Sequence, residues 1–488
     1  MIPSMILSAL PLLTGCAGTP AVPVEAAVDP RWEMPGPLPR RALNLTDPVR
    51  ATLSNGVEVV LVEDHELPTV SLRVVFDVGR FADPEGMEGL ATATMDMLNE
   101  GAGDYDGLAL SDALRALASS VGSSGGWDSS TVSAGSLTRN LEPTLDIMAD
   151  VLLRPTFPAS EWERIHKQYL QDLASGRANP NSVAGRVSRR VMFGETYRGR
   201  HTNEDAWGAV TVDAMQGWYE DHIVPGNAMI FASGDVTMDA LTALLEARLG
   251  DWTAEGEDPA PTITIRQPEA TTIYLHDRPG SAQSVISAGR FGGGPTDADY
   301  TELLVGNMAF GGMFAARLNL NLREDKGYTY GARSGLSSAT LAPIVWSAGA
   351  SVRTDVTAES LTEILKELDE SIGDRPLSEE EVAYMKSSML NSYPSRFETA
   401  GYQLSGAENI WRLGLPEDWQ ESYIPRVEAV TAEGANTAFA KTAAGHPLAV
   451  VIVGDAAVVR EPLAALGLPI VDVDVDGNPI SPTENAEE

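Results

Sequence analysis

Three landmarks occur twice along the chain, in the same order and at nearly the same spacing. Gly79-Arg80-Phe81 recurs 210 positions later as Gly289-Arg290-Phe291. The pair Ser160 and Glu163 recurs 218 positions later as Ser378 and Glu381. Val210-Thr211 precedes Gly234-Asp235 by 24 positions, and Val430-Thr431 precedes Gly454-Asp455 by the same 24, at an offset of 220. This period is far longer than that of a solenoid. It reads as a duplicated domain of about 210–220 residues, and a chain of 488 residues has room for two such copies with cores of their own.

Each copy runs from strands through helices to a last strand and helix. Arg50 to Val62 reads as a hairpin turning at Asn55-Gly56. Leu67 to Gly79 reads as a strand, and Gly89 to Leu98 begins a helix. Leu108 to Val121 reads as a helix on Leu110, Leu114, Leu117 and Val121, and Ser124 to Leu137 as a turn and a strand. Helices are predicted over Leu141 to Leu153, Val212 to Ile223 and Met238 to Leu249, with a strand over Ala228 to Ser233. Ser160 and Glu163 have the spacing of a capping box. In the second copy Leu361, Ile364, Leu365, Leu368 and Ile372 line one face of a helix. The fold class that follows is α+β: two homologous α/β-sandwich domains, each with helices packed on one face of a mainly antiparallel sheet.

One stretch of the second copy, Leu318 to Ser334, carries candidate chemistry. It reads as the end of an amphipathic helix, a stop at Gly327 and a strand in which Tyr328 and Tyr330 flank Thr329. A reversal at Gly327 could bring Arg323 near Tyr330, and a guanidinium beside a phenol can hold a peptide carbonyl or the oxyanion formed from it. The same residues also fit a paired or solvated helix-end arginine and a tyrosine packed on its ring.

This stretch resembles the arginine–tyrosine signature in the second domain of the pitrilysin/insulinase-type zinc peptidases, where the Arg lies seven positions before the Tyr. Further matches are Pro225-Gly226-Asn227 followed by Gly234-Asp235-Val236, the run Phe193 to Gly199, and the run Arg426 to Thr431. The resemblance implies a clamshell of two similar domains closing around a peptide, with Arg323 and Tyr330 as the catalytic, substrate-polarising pair. It also implies that Gly126 and Trp127 belong to the peptide-binding edge of the first domain. Active members carry H-x-x-E-H on a helix opened by Gly-Leu-Ala. Here Gly89-Leu90-Ala91 is kept, but Thr92 stands at the first His, Met95 at the general base and Asp96 at the second His. The third ligand position aligns with Asp172. Catalytic zinc takes three protein ligands and an open position, and a thioether cannot accept a proton from water. The six histidines (His65, His166, His201, His222, His276, His446) lie far apart in sequence and form no other zinc motif. The expectation is therefore no metal and no cofactor bound by this chain.

Other motifs carry less. Gly122-Ser123-Ser124-Gly125-Gly126 satisfies G-x-S-x-G formally, but it lacks the strand-to-helix setting of a nucleophile elbow. Gly292-Gly293-Gly294 and Gly311-Gly312 read as turns or loops and lack the Lys-Ser/Thr of a phosphate loop. With 34 basic against 69 acidic residues, the formal net charge of −35 argues against nucleic acid as a partner. The one cysteine, Cys16, follows a short apolar run and Leu13-Thr14-Gly15, which resembles a bacterial lipoprotein lipobox. That implies a lipidated Cys16 as the only membrane attachment. The implied setting is a periplasm-facing lipoprotein of the cell envelope, with the outer membrane as its destination.

The expected organisation is a signal peptide over 1–16, an Ala/Pro-rich tether over 17–47, a first domain over 48–254 and a linker over 255–268. A second domain over 269–476 and an acidic tail over 477–488 complete it. The function implied by the resemblance is that of the non-zinc subunit of a heterodimeric peptidase. An H-x-x-E-H-bearing partner of the same family would supply the zinc, and this chain would orient peptide substrates. The alternative is a catalytically inactive peptide-binding or scaffold protein of the envelope.

Overall fold

The computed structural model describes residues 45–256, 263, 268–337, 343–398, 400–443 and 447–480. The expected lipobox with Cys16, nearly all of the Ala/Pro-rich segment, most of the expected linker, His446 and the end of the acidic tail lie outside the described residues. In the first half, β1 (Val49–Thr52), β2 (Glu58–Glu63), β3 (Thr69–Phe76), β6 (Ser120–Gly125), β7 (Ser130–Leu137) and β8 (Ala228–Gly234) form a sheet of order β1-β2-β8-β3-β7-β6. A small separate ribbon pairs β4 (Gly101–Ala102) with β5 (Tyr105–Asp106). In the second half, β9 (Thr272–Asp277), β10 (Gln283–Phe291), β11 (Thr329–Leu336), β12 (Val345–Arg353), β13 (Ala449–Gly454) and β14 (Ile470–Asp472) form a sheet of order β11-β12-β10-β13-β9-β14. Both sheets are mainly antiparallel, with parallel pairing at β2–β8, β13–β9 and β14–β9. The two orders correspond from the β6 and β11 edges inward and diverge at the far edge. There the first half uses an N-terminal hairpin strand and the second half uses the parallel β14.

Alternation along the strands sets the layers, because successive side chains point to opposite faces. Val59 and Leu61 of β2, Val74 and Phe76 of β3 and Ile230 of β8 face one way. They pack with Leu145, Met215 and Leu241 from the helices Leu141–Leu153, Val212–His222 and Met238–Leu249. The helix Thr357–Ile372 does the same for the second sheet through Leu361, Ile364 and Leu368.

Helices on one face are only part of the architecture. The other face of each sheet is also apolar, and it is covered by a helix from the opposite half. Leu404 of the helix Ala400–Leu413 packs on Val60, Val75, Met229 and Phe231 of the first sheet. Val183, Ala184 and Val187 of the helix Pro180–Phe193 pack on Val285, Val451 and Val453 of the second sheet. These two helices are the same element of the repeat, 220 residues apart. Each is also held by a charge pair. Arg73 donates to Ser405 Oγ at 3.1 Å and to Glu408 at 3.0 Å, and Arg186 donates through Nε to Asp476 at 2.9 Å.

Three local expectations change. The helix expected over Leu108 to Val121 ends at Ala116, because Ala118 takes φ +50 and reverses the chain, and Val121 then lies in β6. The turn expected from Ser124 comes at Gly126 to Ser129, and the glycine- and serine-rich segment before it is not part of that turn. It is an edge strand, since pairing with β7 overrides its low strand propensity. Ser160 and Glu163 form no capping box: the helix Ala159–Ala178 starts earlier, with Pro158 at its N-cap and Trp162 N–H donating to Pro158 O. The counterpart Ser378 and Glu381 does form the box, with Ser378 N–H on Glu381 at 2.8 Å and Glu381 N–H on Ser378 Oγ at 3.2 Å. Arg317 adds a second bond to that carboxylate at 2.6 Å. Burial raises the Glu381 pKa, but the bonds from Arg317 and Ser378 outweigh it and hold the group at about 2.

Two predictions follow from this packing. Leu404 is 1% exposed, so Leu404→Ala is expected to lower unfolding free energy by about 2–5 kcal/mol in urea titration. Glu381 has a depressed folded pKa, so its contribution is fully present above its ordinary value of 4.5 and is lost as pH falls toward about 2. Acid titration of stability should show this loss in the natural chain, and Glu381→Gln should flatten it.

Candidate functional site

The helix Leu90–Met97 begins the site. Its N-cap, Gly89, takes φ +113, and a Cβ there would lie 2.8 Å from the Trp207 ring. Asp83 accepts from Gly89 N–H at 2.7 Å and Ala91 N–H at 2.8 Å, which ties down the two free amides at the helix start. Burial pushes the Asp83 carboxyl up to about 6, against the pull of those two bonds. Backbone geometry and Asp83 therefore hold the Gly-Leu-Ala start.

The side chains at the expected metal-site positions are engaged in other work. Thr92 donates to Gly125 O at 3.3 Å, tying the helix to the β6 edge. Met95 is fully buried in the core. Asp96 accepts from the Tyr169 hydroxyl at 2.6 Å, and Tyr169 stacks on Trp207 with centroids 4.2 Å apart. Burial raises the Asp96 pKa, while the Tyr169 bond opposes it. Burial, then the Asp96 charge, pushes the Tyr169 phenol far above its ordinary range, so it stays a donor. Asp172 is exposed and accepts from Gln168 of its own helix at 2.8 Å. A hydroxyl, a core thioether and one phenol-bound carboxylate do not make a zinc donor set. Among the described residues no three His, Cys, Asp or Glu side chains come together as metal ligands.

The Arg323 stretch folds around two fully buried leucines, Leu318 and Leu322. One α turn, Arg317–Asn319, widens into a π turn, Leu320–Asp325, where an α-helical end is expected. Gly327 stops it with φ +66, its N–H donating to Arg323 O at 3.2 Å. The Arg323 guanidinium lies over the Phe314 ring, 4.5 Å from its centroid, and 3.3 Å from the Glu324 carboxylate. Tyr330 is 90% exposed and makes no hydrogen bond among the described residues. It lies where the pairing of β11 with β12 slips between Thr329 and Ala332. The reversal thus brings the two residues to one edge of the second sheet without a bond between them. Fully buried Asn319 links their supports: it donates to Phe314 O at 2.7 Å and accepts from Ala332 N–H at 3.0 Å. Sequence reasoning passed over Asn319, because an amide inside an apolar helix carries no signal of which loops it joins.

Gly126 and Trp127 form the β6–β7 turn, with Arg80 N–H donating to Gly126 O at 2.9 Å. The Arg80 guanidinium covers the Trp127 ring at 4.1 Å. Both turn residues line a cavity of about 650 Å³ between the halves, opposite aromatic and arginine side chains of the second half. Arg323 and Tyr330 do not line it. Ser124 sits in edge strand β6, paired with Thr131, which is not a nucleophile elbow. Gly311-Gly312 belongs to a π turn, Met308–Gly312, and not to a loop. A Cβ at Gly311 would meet Ser334 Oγ at 2.5 Å.

Residues 58–204 match the family model described as insulinase (peptidase family M16), and residues 209–389 match that of the peptidase M16 inactive domain. An uncharacterized zinc protease, YmxG of Bacillus subtilis (strain 168), is 21% identical over 291 residues, 59% of this chain and 70% of that one. The non-peptidase homolog YmxG of Helicobacter pylori (strain ATCC 700392 / 26695) is 18% identical over 384 residues, 78% of this chain and 88% of that one. The crystal structure of a peptidase M16 inactive domain from Pseudomonas fluorescens superposes with a TM-score of 0.76 at 24% identity, covering 84% of this chain and 98% of that one.

Tyr169→Phe would leave a part-buried carboxylate oxygen without its donor, and a loss of about 1 kcal/mol in denaturant-measured stability is expected. The double variant Asp96→Leu with Tyr169→Phe should recover most of it, since both polar partners are then gone.

Proposed function

The chain belongs to the insulinase peptidase family M16, and from that membership we propose that it is the non-zinc-binding subunit of a heterodimeric peptidase. One observation carries this reading: Thr92, Met95 and Asp96 stand at the expected ligand and base positions of the motif helix, while Tyr330 is exposed on edge strand β11 and Arg323 lies part-exposed in the turn before it. A partner of the same family bearing H-x-x-E-H supplies the zinc. Arg323 and Tyr330 donate to the carbonyl oxygen of a bound peptide and to the oxyanion that develops on it. The Phe314 ring packs against the Arg323 guanidinium, and a bound peptide competes with the half-exposed Glu324 carboxylate 3.3 Å away for its donors. An extended peptide adds a strand at the open β6 or β11 edge, which favours sequence-tolerant binding of short or unfolded peptides. Cys16, lipidated, holds the protein at the envelope facing the periplasm. Gly126 and Trp127 contact the substrate from the first half.

A second reading, an inactive peptide-binding or scaffold protein of the envelope, draws on the Helicobacter relative named as a non-peptidase homolog. The two separate on partner capture from native membrane. Recovery of an H-x-x-E-H relative in near-equal amount supports the subunit reading, and recovery of unrelated envelope proteins supports the scaffold. With the partner present, Arg323→Ala or Tyr330→Phe is expected to leave assembly intact and lower peptide turnover about ten- to a thousandfold. Normal turnover in both variants would end the assignment.

A further inference from the structure

The cavity between the halves concentrates positive charge in a chain whose formal net charge is −35. Four arginines reach its walls: Arg198, Arg396, Arg412 and Arg426. Two are matched by carboxylates. Arg198 pairs with buried Asp128, and Arg412 lies 3.7 Å from Glu408, which also takes Arg73 at 3.0 Å. Arg396 and Arg426 have no carboxylate within 4 Å among the described residues. They flank a stacked pair of rings, Tyr393 and Tyr423, with centroids 3.9 Å apart. The Arg396 guanidinium is 5.8 Å over Tyr393, and that of Arg426 is 3.5 Å over Trp419. Arg426 donates to Ser422 Oγ and Trp419 O, each at 2.8 Å, and its buried Nε has no partner.

The opposite wall adds to this field. Behind Trp127, Arg189 makes no ion pair among the described residues and lies 5.8 Å over the same ring. Burial and the neighbouring charges of Arg80, Arg186 and Arg198 press its guanidinium down to about 10. Burial, with Arg186 and Arg189, lowers the His201 pKa to about 3 and keeps the ring neutral. Holding the part-buried guanidinium groups of Arg426 and Arg189 here with no ion-paired carboxylate costs free energy, although Asp418 lends Arg426 some compensation, and an anion bound there would recover part of it.

We propose that this cavity binds the carboxylate of a peptide, with Arg396 and Arg426 as its fork and the aromatic walls taking the adjoining residue. The volume suits a peptide end or a single acidic side chain. Guanidinium forks match a carboxylate in shape and charge. Polyanions are repelled by the rest of the molecule at −35, so the local charge favours a ligand with one or two negative groups. The inference rests on the cavity and is independent of the catalytic pairing proposed above.

The test is fluorescence anisotropy on the full chain with a labelled short peptide of Ala, Leu and Tyr in three forms: free C-terminal carboxylate, C-terminal amide, and the amide carrying one internal Glu. The free-carboxylate or the Glu form should bind at least about tenfold more tightly than the plain amide, and which of them does so identifies the source of the carboxylate. Exposed Arg396→Gln and part-buried Arg426→Gln should each remove that preference, with Arg426→Lys restoring part of it. Arg396→Gln stands alone as the probe if Arg426→Gln loses its thermal transition. The readout is binding to this chain alone, with no partner and no turnover, so failure of the catalytic reading and failure of this one are separable. Equal binding of all three peptides, binding of none, or a preference that survives Arg396→Gln would overturn the proposal.

Discussion

Each sheet of this protein has two apolar faces, and each half supplies helices enough for only one of them together with a single spare. The spare helices, Pro180–Phe193 and Ala400–Leu413, cross over and cover each other's sheets. Neither half can therefore hide Val60, Val75 and Phe231, or Val285, Val451 and Val453, from water without the other. The exchange also makes the cavity. Arg412 and Tyr402 come from one crossing helix, and Arg198 comes from the segment just beyond the other. The arginine pairs that hold the crossing helices, Arg73–Glu408 and Arg186–Asp476, set the charge balance of the same region.

The start of the helix Leu90–Met97 is fixed by packing alone. Gly89 is required by the Trp207 ring and by its own positive φ, and Asp83 ties its amide. Gly125 of β6 lies against the Ala91 backbone, where a Cβ would be 2.6 Å from Ala91 O. These are packing demands of the fold and not of zinc. The cross-link that three ligands and a metal would make between two helices is made here by one bond, from Tyr169 to Asp96. The Arg323 end has followed a different course. Asn319 and the π turn keep Phe314 and β11 in place, while Arg323 and Tyr330 remain at the surface.

Charge divides the molecule in a related way. Most of its excess is negative and spread out, whereas the guanidinium groups near Trp127 and the Tyr393–Tyr423 stack gather where the halves meet. Their sequence positions run from Arg80 to Arg426, so no local window contains the cluster.

The duplication, the α+β class, the exact ends of the helices Leu141–Leu153 and Met238–Leu249, and the Gly327 stop were all legible in the chain. Each depends on short-range terms: period, capping, or a glycine where φ is positive. That Thr92, Met95 and Asp96 are no zinc-ligand and base set was equally plain, because side-chain chemistry needs no coordinates. What tertiary structure alone decided was different in kind. Pairing with β7 made a strand of the serine–glycine run. Pro158 capped a helix two residues ahead of the false capping box. Asp96 found its donor 73 residues away, and the crossing helices joined arginines from both halves around one space. Those outcomes are contacts between distant segments, and a sequence read in windows holds no term for them.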